Sequence, residues 1–185
     1  MDQRMDRISH RPVRIVLTGP ESTGKTVLAE ALAAHYSAPW VPEFVRVFAA
    51  QKGEPIAFSD HGVIARGQMA LEDAALEAGP PLVIHDTDLM STVVYCLYYF
   101  GRCPEWIEET ARARVGTHYL LCQPDLPWVA DGLRDRPLER GELVQLFAQT
   151  LDRLGASWSP LDGVGPDRLR HAIAIIDPLR AGAGA

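Results

Sequence analysis

Val13-Arg14-Ile15-Val16-Leu17-Thr18-Gly19-Pro20-Glu21-Ser22-Thr23-Gly24-Lys25-Thr26-Val27-Leu28 sets the architecture of the whole chain. Val13 to Leu17 form a short, β-branched apolar run that ends at Gly19, the pattern of a buried strand. Gly19 to Thr26 then match G-x-x-x-x-G-K-[ST] at every fixed position. The spacing has a chemical purpose. Gly19 and Gly24 let the backbone curl until successive N–H groups face one anion, and the helix that follows adds the positive end of its dipole. On this reading Lys25 reaches the β- and γ-phosphates of ATP, and the Thr26 hydroxyl is placed for Mg²⁺. Glu21, Ser22, Thr23 and Val27 complete the nucleotide-binding set, with Glu21 and Ser22 open to a second reading in which they only shape the loop. The stripe Val27, Leu28, Ala31 and Leu32 predicts the inward face of the helix.

Outward from this loop, apolar strands alternate with helices. Ala38 to Val41 is a short strand, Leu82-Val83-Ile84 closes on His85-Asp86, and His118 to Cys122 supplies another. Helices are expected over Glu43 to Ala50, Phe58 to Glu77, Ser91 to Phe100, Glu105 to Val115, Glu142 to Leu154 and Asp167 to Ile176, most of them stopped by Gly or Pro. Strands apolar on both faces mean a parallel sheet covered on both sides, hence an α/β fold in three α/β/α layers. Ligands in such sheets bind at the carboxyl ends of the strands. The chemistry should therefore gather at Gly19-Pro20 and His85-Asp86.

A chain of 185 residues makes one domain, read here as residues 12–180 between flexible tails at 1–11 and 181–185. With 47% hydrophobic and 23% charged residues the composition is globular, and a net charge of -6 argues against nucleic acid or an anionic membrane as partner. No leader-like segment opens the chain and no apolar run approaches a membrane span, so the expected compartment is the cytoplasm. The three cysteines, Cys96, Cys103 and Cys122, have no metal-ligand spacing; Cys96 and Cys122 read as small core residues. A homo-oligomer is compatible with all of this.

His85-Asp86-Thr87-Asp88 ends the strand where a phosphate-binding loop needs a carboxylate for magnesium or its bound water. Asp86 is the candidate metal ligand. Asp88 is the candidate to receive the proton of an acceptor hydroxyl, unless it merely caps the next helix. His85 reads as a buried structural residue. In the helix from Phe58, His61, Ile64 and Gln68 share one face, so a histidine and an amide intrude on an apolar stripe. Their partners are either backbone groups or a polar substrate ring. Glu43 and Arg46, three apart, are either a surface ion pair or substrate-binding groups beside the second strand.

Gln123 to Gly141 is long for a connection in a compact domain and carries three prolines and the arginines Arg134, Arg136 and Arg140. It reads as a lid whose Arg134 or Arg136 closes over the γ-phosphate, against the alternative of a solvated, self-paired loop. Trp128 either docks this lid or stacks on a flat substrate ring.

Taken in order, these segments resemble a known family, the ribosylnicotinamide kinase domain of the bacterial NadR proteins. The resemblance runs from about Val13 to about Ile176. It rests on Gly19 to Thr26, Pro42-Glu43-Phe44-Val45-Arg46, Ile64-Ala65-Arg66-Gly67-Gln68, Asp86-Thr87-Asp88, Tyr95 to Phe100, and Pro124-Asp125-Leu126-Pro127-Trp128-Val129-Ala130-Asp131-Gly132-Leu133-Arg134. The last segment is far more specific than the first. The resemblance implies a P-loop NTPase fold of the small-kinase type with five parallel strands, and ATP-dependent phosphorylation of the 5′-hydroxyl of nicotinamide riboside. It also implies Asp86 or Asp88 facing ribose and metal, Glu43, Arg46 and Gln68 lining the nucleoside pocket, Trp128 and Asp131 on the lid side, and Arg134 at the phosphates. More weakly, Gly163 to Arg168 resembles the loop near the adenine. Larger members carry an adenylyltransferase domain and a DNA-binding head, neither of which is read here, so their activities are not expected. Two alternatives stay open: a kinase for another nucleoside or small alcohol, and a regulatory module that binds or slowly hydrolyses ATP.

Overall fold

Five parallel strands, β1 (Val13–Thr18), β2 (Trp40–Val41), β3 (Leu82–Asp86), β4 (His118–Cys122) and β5 (Trp158–Leu161), pair in the order β2-β3-β1-β4-β5. The structure, a computed structural model, describes residues 11–125 and 140–183. β1 is central, in register with β3 on one side (Leu17 opposite Asp86) and β4 on the other (Thr18 opposite Leu121). The loop after β1 thus emerges between the carboxyl ends of its two neighbours, the crevice where open parallel sheets bind ligands.

Seven helices flank the sheet among the described residues: α1 (Lys25–Tyr36), α2 (Phe44–Lys52), α3 (His61–Leu76), α4 (Leu89–Phe100), α5 (Glu105–Ala113), α6 (Arg140–Leu154) and α7 (Pro166–Ala183). A 3₁₀ turn, Phe58–Asp60, leads into α3. Alternation along β1 divides the core in two. Val13, Ile15 and Leu17 pack with Leu28 and Leu32 of α1 and Ala172 and Ile176 of α7. On the other face Val16, Tyr119 and Leu121 pack with Met90 and Val93 of α4, Ile107 of α5 and Phe147 and Leu151 of α6. This is the expected three-layer α/β/α arrangement.

Three local expectations need correcting. The apolar pattern does not mark β5, although the resemblance implies a fifth strand. It is an edge strand in which only Leu161 is fully buried, and Pro160 offers no N–H to a ladder. The inward stripe of α1 is Leu28, Ala29, Leu32 and Ala33, while Val27 is 72% exposed. Lys25 is the first helical residue and turns inward, which fixes the phase and throws Val27 to the opposite side. Finally, α7 continues past Pro178 to Ala183, into the segment expected to be a tail. Its last turns are tied to α1: Tyr36 donates to Asp177 at 2.8 Å, and Arg180 lies over the Tyr36 ring. Cys96 and Cys122 are buried core residues. Among the described residues no helix is long and apolar enough to cross a membrane.

Candidate active site at the strand ends

The loop after β1 is built as its glycines require. Gly19 has φ +126, and a Cβ there would lie 2.8 Å from the Cys122 carbonyl oxygen of β4. Ser22 and Gly24 also adopt positive φ, so the chain coils back on itself before α1. Lys25 is buried and donates to the carbonyls of Gly19 (3.0 Å) and Pro20 (2.6 Å), while Thr23 Oγ1 donates to Pro20 O at 2.9 Å. An ammonium thus sits inside the curl, where it neutralises an incoming anion. Ser22 to Val27 and Arg46 together line a cleft of about 210 Å³. Glu21 is buried and accepts a long hydrogen bond, 3.4 Å, from the Tyr95 hydroxyl of α4.

At the end of β3 the two carboxylates part company. Asp86 faces the loop: Thr26 Oγ1 donates to its Oδ2 at 2.6 Å. Its Oδ1 is buried and has no hydrogen-bond partner among the described residues. Burial pushes the Asp86 carboxyl above the usual range; Thr26 opposes that shift and the nearby Glu43 charge adds to it. A hydroxyl and a carboxylate with an unused oxygen are hard donors, and they suit a magnesium ion that keeps most of its water.

Asp88, expected to reach an acceptor hydroxyl, has both carboxylate oxygens engaged within the fold. Its Oδ1 accepts from Met90 N at 2.9 Å, the N-cap bond of α4, and its Oδ2 accepts from the Tyr119 hydroxyl at 2.6 Å. The capping alternative is the one realised, and it also explains why α4 begins at Leu89 rather than Ser91. Between the two acids Thr87 has φ +71, rare for a β-branched residue, and swings successive side chains apart. The turn is held by Thr87 N donating to Leu17 O at 3.0 Å and by a short hydrogen bond from Thr87 Oγ1 to Ser91 Oγ. His85 is buried as expected, its ring nitrogens have no partner among the described residues, and burial lowers its pKa to about 3.

Glu43 is buried at the N-cap position of α2, and Arg46 Nε lies 2.8 Å from its Oε2. Arg46 of this pair lines the cleft, and the Glu43 charge lies near enough to Asp86 to act on its carboxyl. The Gln68 amide meets the backbone through one of its two polar atoms. Oε1 accepts from Phe44 N at 2.9 Å and so caps α2, while the buried Nε2 has no partner among the described residues. Gly67 makes this possible, because any Cβ there would run into the Phe44 ring at 2.2 Å. His61, by contrast, is a structural histidine: Nδ1 pairs with Ala57 O at 3.1 Å and the ring packs on Phe58 and Phe100. Trp128, Asp131, Arg134 and Arg136 lie outside the described residues. So do positions 126–139 of the expected lid, whereas Arg140 and Gly141 open α6.

Tyr119 carries no local signal in the sequence, and Arg168 stands out there only as the end of the Gly163 to Arg168 segment. Tyr119 is an ordinary strand residue until the fold sets its hydroxyl against Asp88. Arg168 is buried in the first turn of α7, 145 residues from the loop whose carbonyl it holds. A family model described as an AAA domain matches residues 14–168. The chain belongs to that family. Within it, this AAA-domain protein is 30% identical over 144 residues to the trifunctional NAD biosynthesis/regulator protein NadR of Escherichia coli K12. The match covers 75% of this chain and only 35% of that protein. Two solved NadR structures share the fold. One, in complex with NR, superposes with TM-score 0.75 at 23% identity, covering 92% of this chain and 52% of the other. The second, in complex with NAD and AMP-PNP, gives 0.76 at 21%, covering 94% and 51%.

Proposed function

We propose that this protein is an ATP-dependent kinase that transfers the γ-phosphoryl group to the 5′-hydroxyl of a nucleoside, with nicotinamide riboside as acceptor and nicotinamide mononucleotide as product. One observation carries the reading. Thr26 and Asp86 converge at 2.6 Å beside a coiled loop of amides and one ammonium, and leave a buried carboxylate oxygen unused. That is the donor set for Mg-ATP, and the unused carboxylate oxygen costs stability until a ligand meets it. The NadR relative named for NAD biosynthesis, and the NadR complexes with NR and with AMP-PNP, support the choice of donor and acceptor.

Loop amides and Lys25 hold the β- and γ-phosphates, and the ammonium trades its loop carbonyls for phosphate oxygens as charge develops. Thr26 and Asp86 hold the magnesium site. Bound there, magnesium supplies charge neutralisation on the phosphate oxygens. Because Asp88 is committed to α4 and Tyr119, the carboxylate left at the acceptor side is Glu43. Glu43 takes the proton of the 5′-hydroxyl as the new O–P bond forms and the bond to the ADP oxygen breaks. Arg46 orients Glu43, and the unused Gln68 Nε2 donates to the acceptor. Trp128 and Asp131 close the nucleoside side, with Arg134 and Arg136 at the phosphates. The reading goes with a cytoplasmic setting.

A coupled assay of ADP release across a nucleoside panel tests this, with nicotinamide riboside expected to turn over fastest. Lys25→Ala should lower kcat by about 10³-fold or more without unfolding the protein. Near-normal turnover in that variant, or turnover of every nucleoside except nicotinamide riboside, would overturn the mechanism or the acceptor respectively.

A further inference from the structure

Arg168 is the best-buried arginine described, with its side chain 4% exposed, and nothing in the phosphoryl-transfer scheme uses it. Its guanidinium gathers three backbone segments. Nη1 donates to the Thr23 carbonyl of the phosphate loop, and Nη2 donates to the Gln123 carbonyl at 3.2 Å and to Asp125 Oδ1. The other carboxylate oxygen of Asp125 accepts from Gly163 N at 2.8 Å. One ion pair therefore ties together the loop after β1, the exit of β4 and the connection from β5 to α7.

The contact to Thr23 has a directional consequence. A trans peptide is planar, so its C=O and the following N–H point in opposite directions. Holding the Thr23 carbonyl against Arg168 therefore aims the Gly24 N–H away from Arg168, and Gly24 is among the residues that line the cleft. Gly24 is the N-cap residue of α1, has φ +76 and offers no side-chain cap, so nothing on Gly24 itself sets this plane. A lysine could not replace the arginine, because a compact ammonium does not reproduce a fork whose two terminal nitrogens serve three acceptors.

We propose that Arg168, oriented by Asp125, is a positioning residue that fixes the Thr23–Gly24 peptide so that its amide faces the phosphates. This rests on the phosphate-binding reading above, not on the identity of the acceptor. The test is calorimetric titration of Mg²⁺ and AMP-PNP into the full chain, with circular dichroism to verify folding and KM for the acceptor measured in parallel. Arg168→Lys should weaken AMP-PNP binding by about 10-fold or more, the scale of one lost charge-assisted hydrogen bond, with the acceptor KM unchanged. Asp125→Asn keeps an oxygen for the guanidinium and should weaken binding by about 2–5-fold, a smaller part of the same scale; it decides the question if Arg168→Lys does not fold. Folded variants that bind AMP-PNP as the wild type does would overturn this inference alone. A general loss that raises acceptor KM equally would reduce Arg168 to a structural strut. Wild-type protein that binds no AMP-PNP would sink the functional reading with it.

Discussion

Asp86 and Asp88 are two residues apart and chemically identical, yet the fold gives them opposite work. The Asp86 side of the strand end is polar and unfinished: one hydrogen bond from Thr26 and one buried oxygen left over. The Asp88 side is closed, with both oxygens engaged by Met90 N and the Tyr119 hydroxyl. For these two neighbouring acids, the one left with an unused oxygen is the one open to a ligand, and the one with both oxygens engaged serves the scaffold. Thr87, in a left-handed conformation between them, is the pivot.

If Asp88 rather than Asp86 carried activity, this division of work between the two acids would fall. Asp86→Asn should reduce kcat by about 10²–10³-fold, the scale of losing one preorganised electrostatic contact, while the melting temperature holds or rises. The rise follows because burial already disfavours the Asp86 anion. Asp88→Ala should do the reverse: about 2–4 kcal/mol less stable, from a lost cap and a stranded Tyr119 hydroxyl, with kcat nearly intact at temperatures where the variant is folded. Chemical denaturation and steady-state kinetics on both variants settle the matter. A kcat collapse in folded Asp88→Asn, which keeps the cap, would restore the catalytic reading of Asp88.

pH sharpens the same contrast. Burial raises the Asp88 carboxyl from 3.8 to about 6 in the folded chain. A raised carboxyl binds its proton more tightly when folded, so its contribution is fully present below 3.8 and fades as pH climbs through about 6. The stability difference between wild type and Asp88→Asn should therefore shift against the wild type between about pH 4 and 6 and level off above that window. A difference that stays flat across it would mean that Asp88 is not held in a desolvated pocket. The smallest effect concerns the pivot. Thr87→Gly should be more stable than Thr87→Ala by about 1 kcal/mol, because both lose the hydroxyl but only glycine relieves the left-handed backbone. Equal melting temperatures would remove Thr87 as the strained element.

Much of the fold was legible because period and punctuation agree. Val13 to Leu17, Leu82 to Ile84 and His118 to Cys122 are apolar on both faces and become the three inner strands of the sheet. β5 escaped because an edge strand need bury only one residue, Leu161. The loop Gly19 to Thr26 was legible for a different reason: anion binding by backbone amides demands glycines and a lysine at set intervals, so the chemistry is written locally. Asp86 follows from its place at a strand end.

What the chain alone determines, then, is whatever depends on spacing along it: the phosphate loop, the helix phases to within a residue, the acid at the end of β3. Only the folded molecule decides which of two neighbouring carboxylates is left wanting a partner. That depends on one backbone angle at Thr87 and on a tyrosine 31 positions away, and the loop's own grip on its carbonyl depends on Arg168, 145 positions away. Hydrogen-bond satisfaction is a property of neighbours in space. No pattern along the sequence records it.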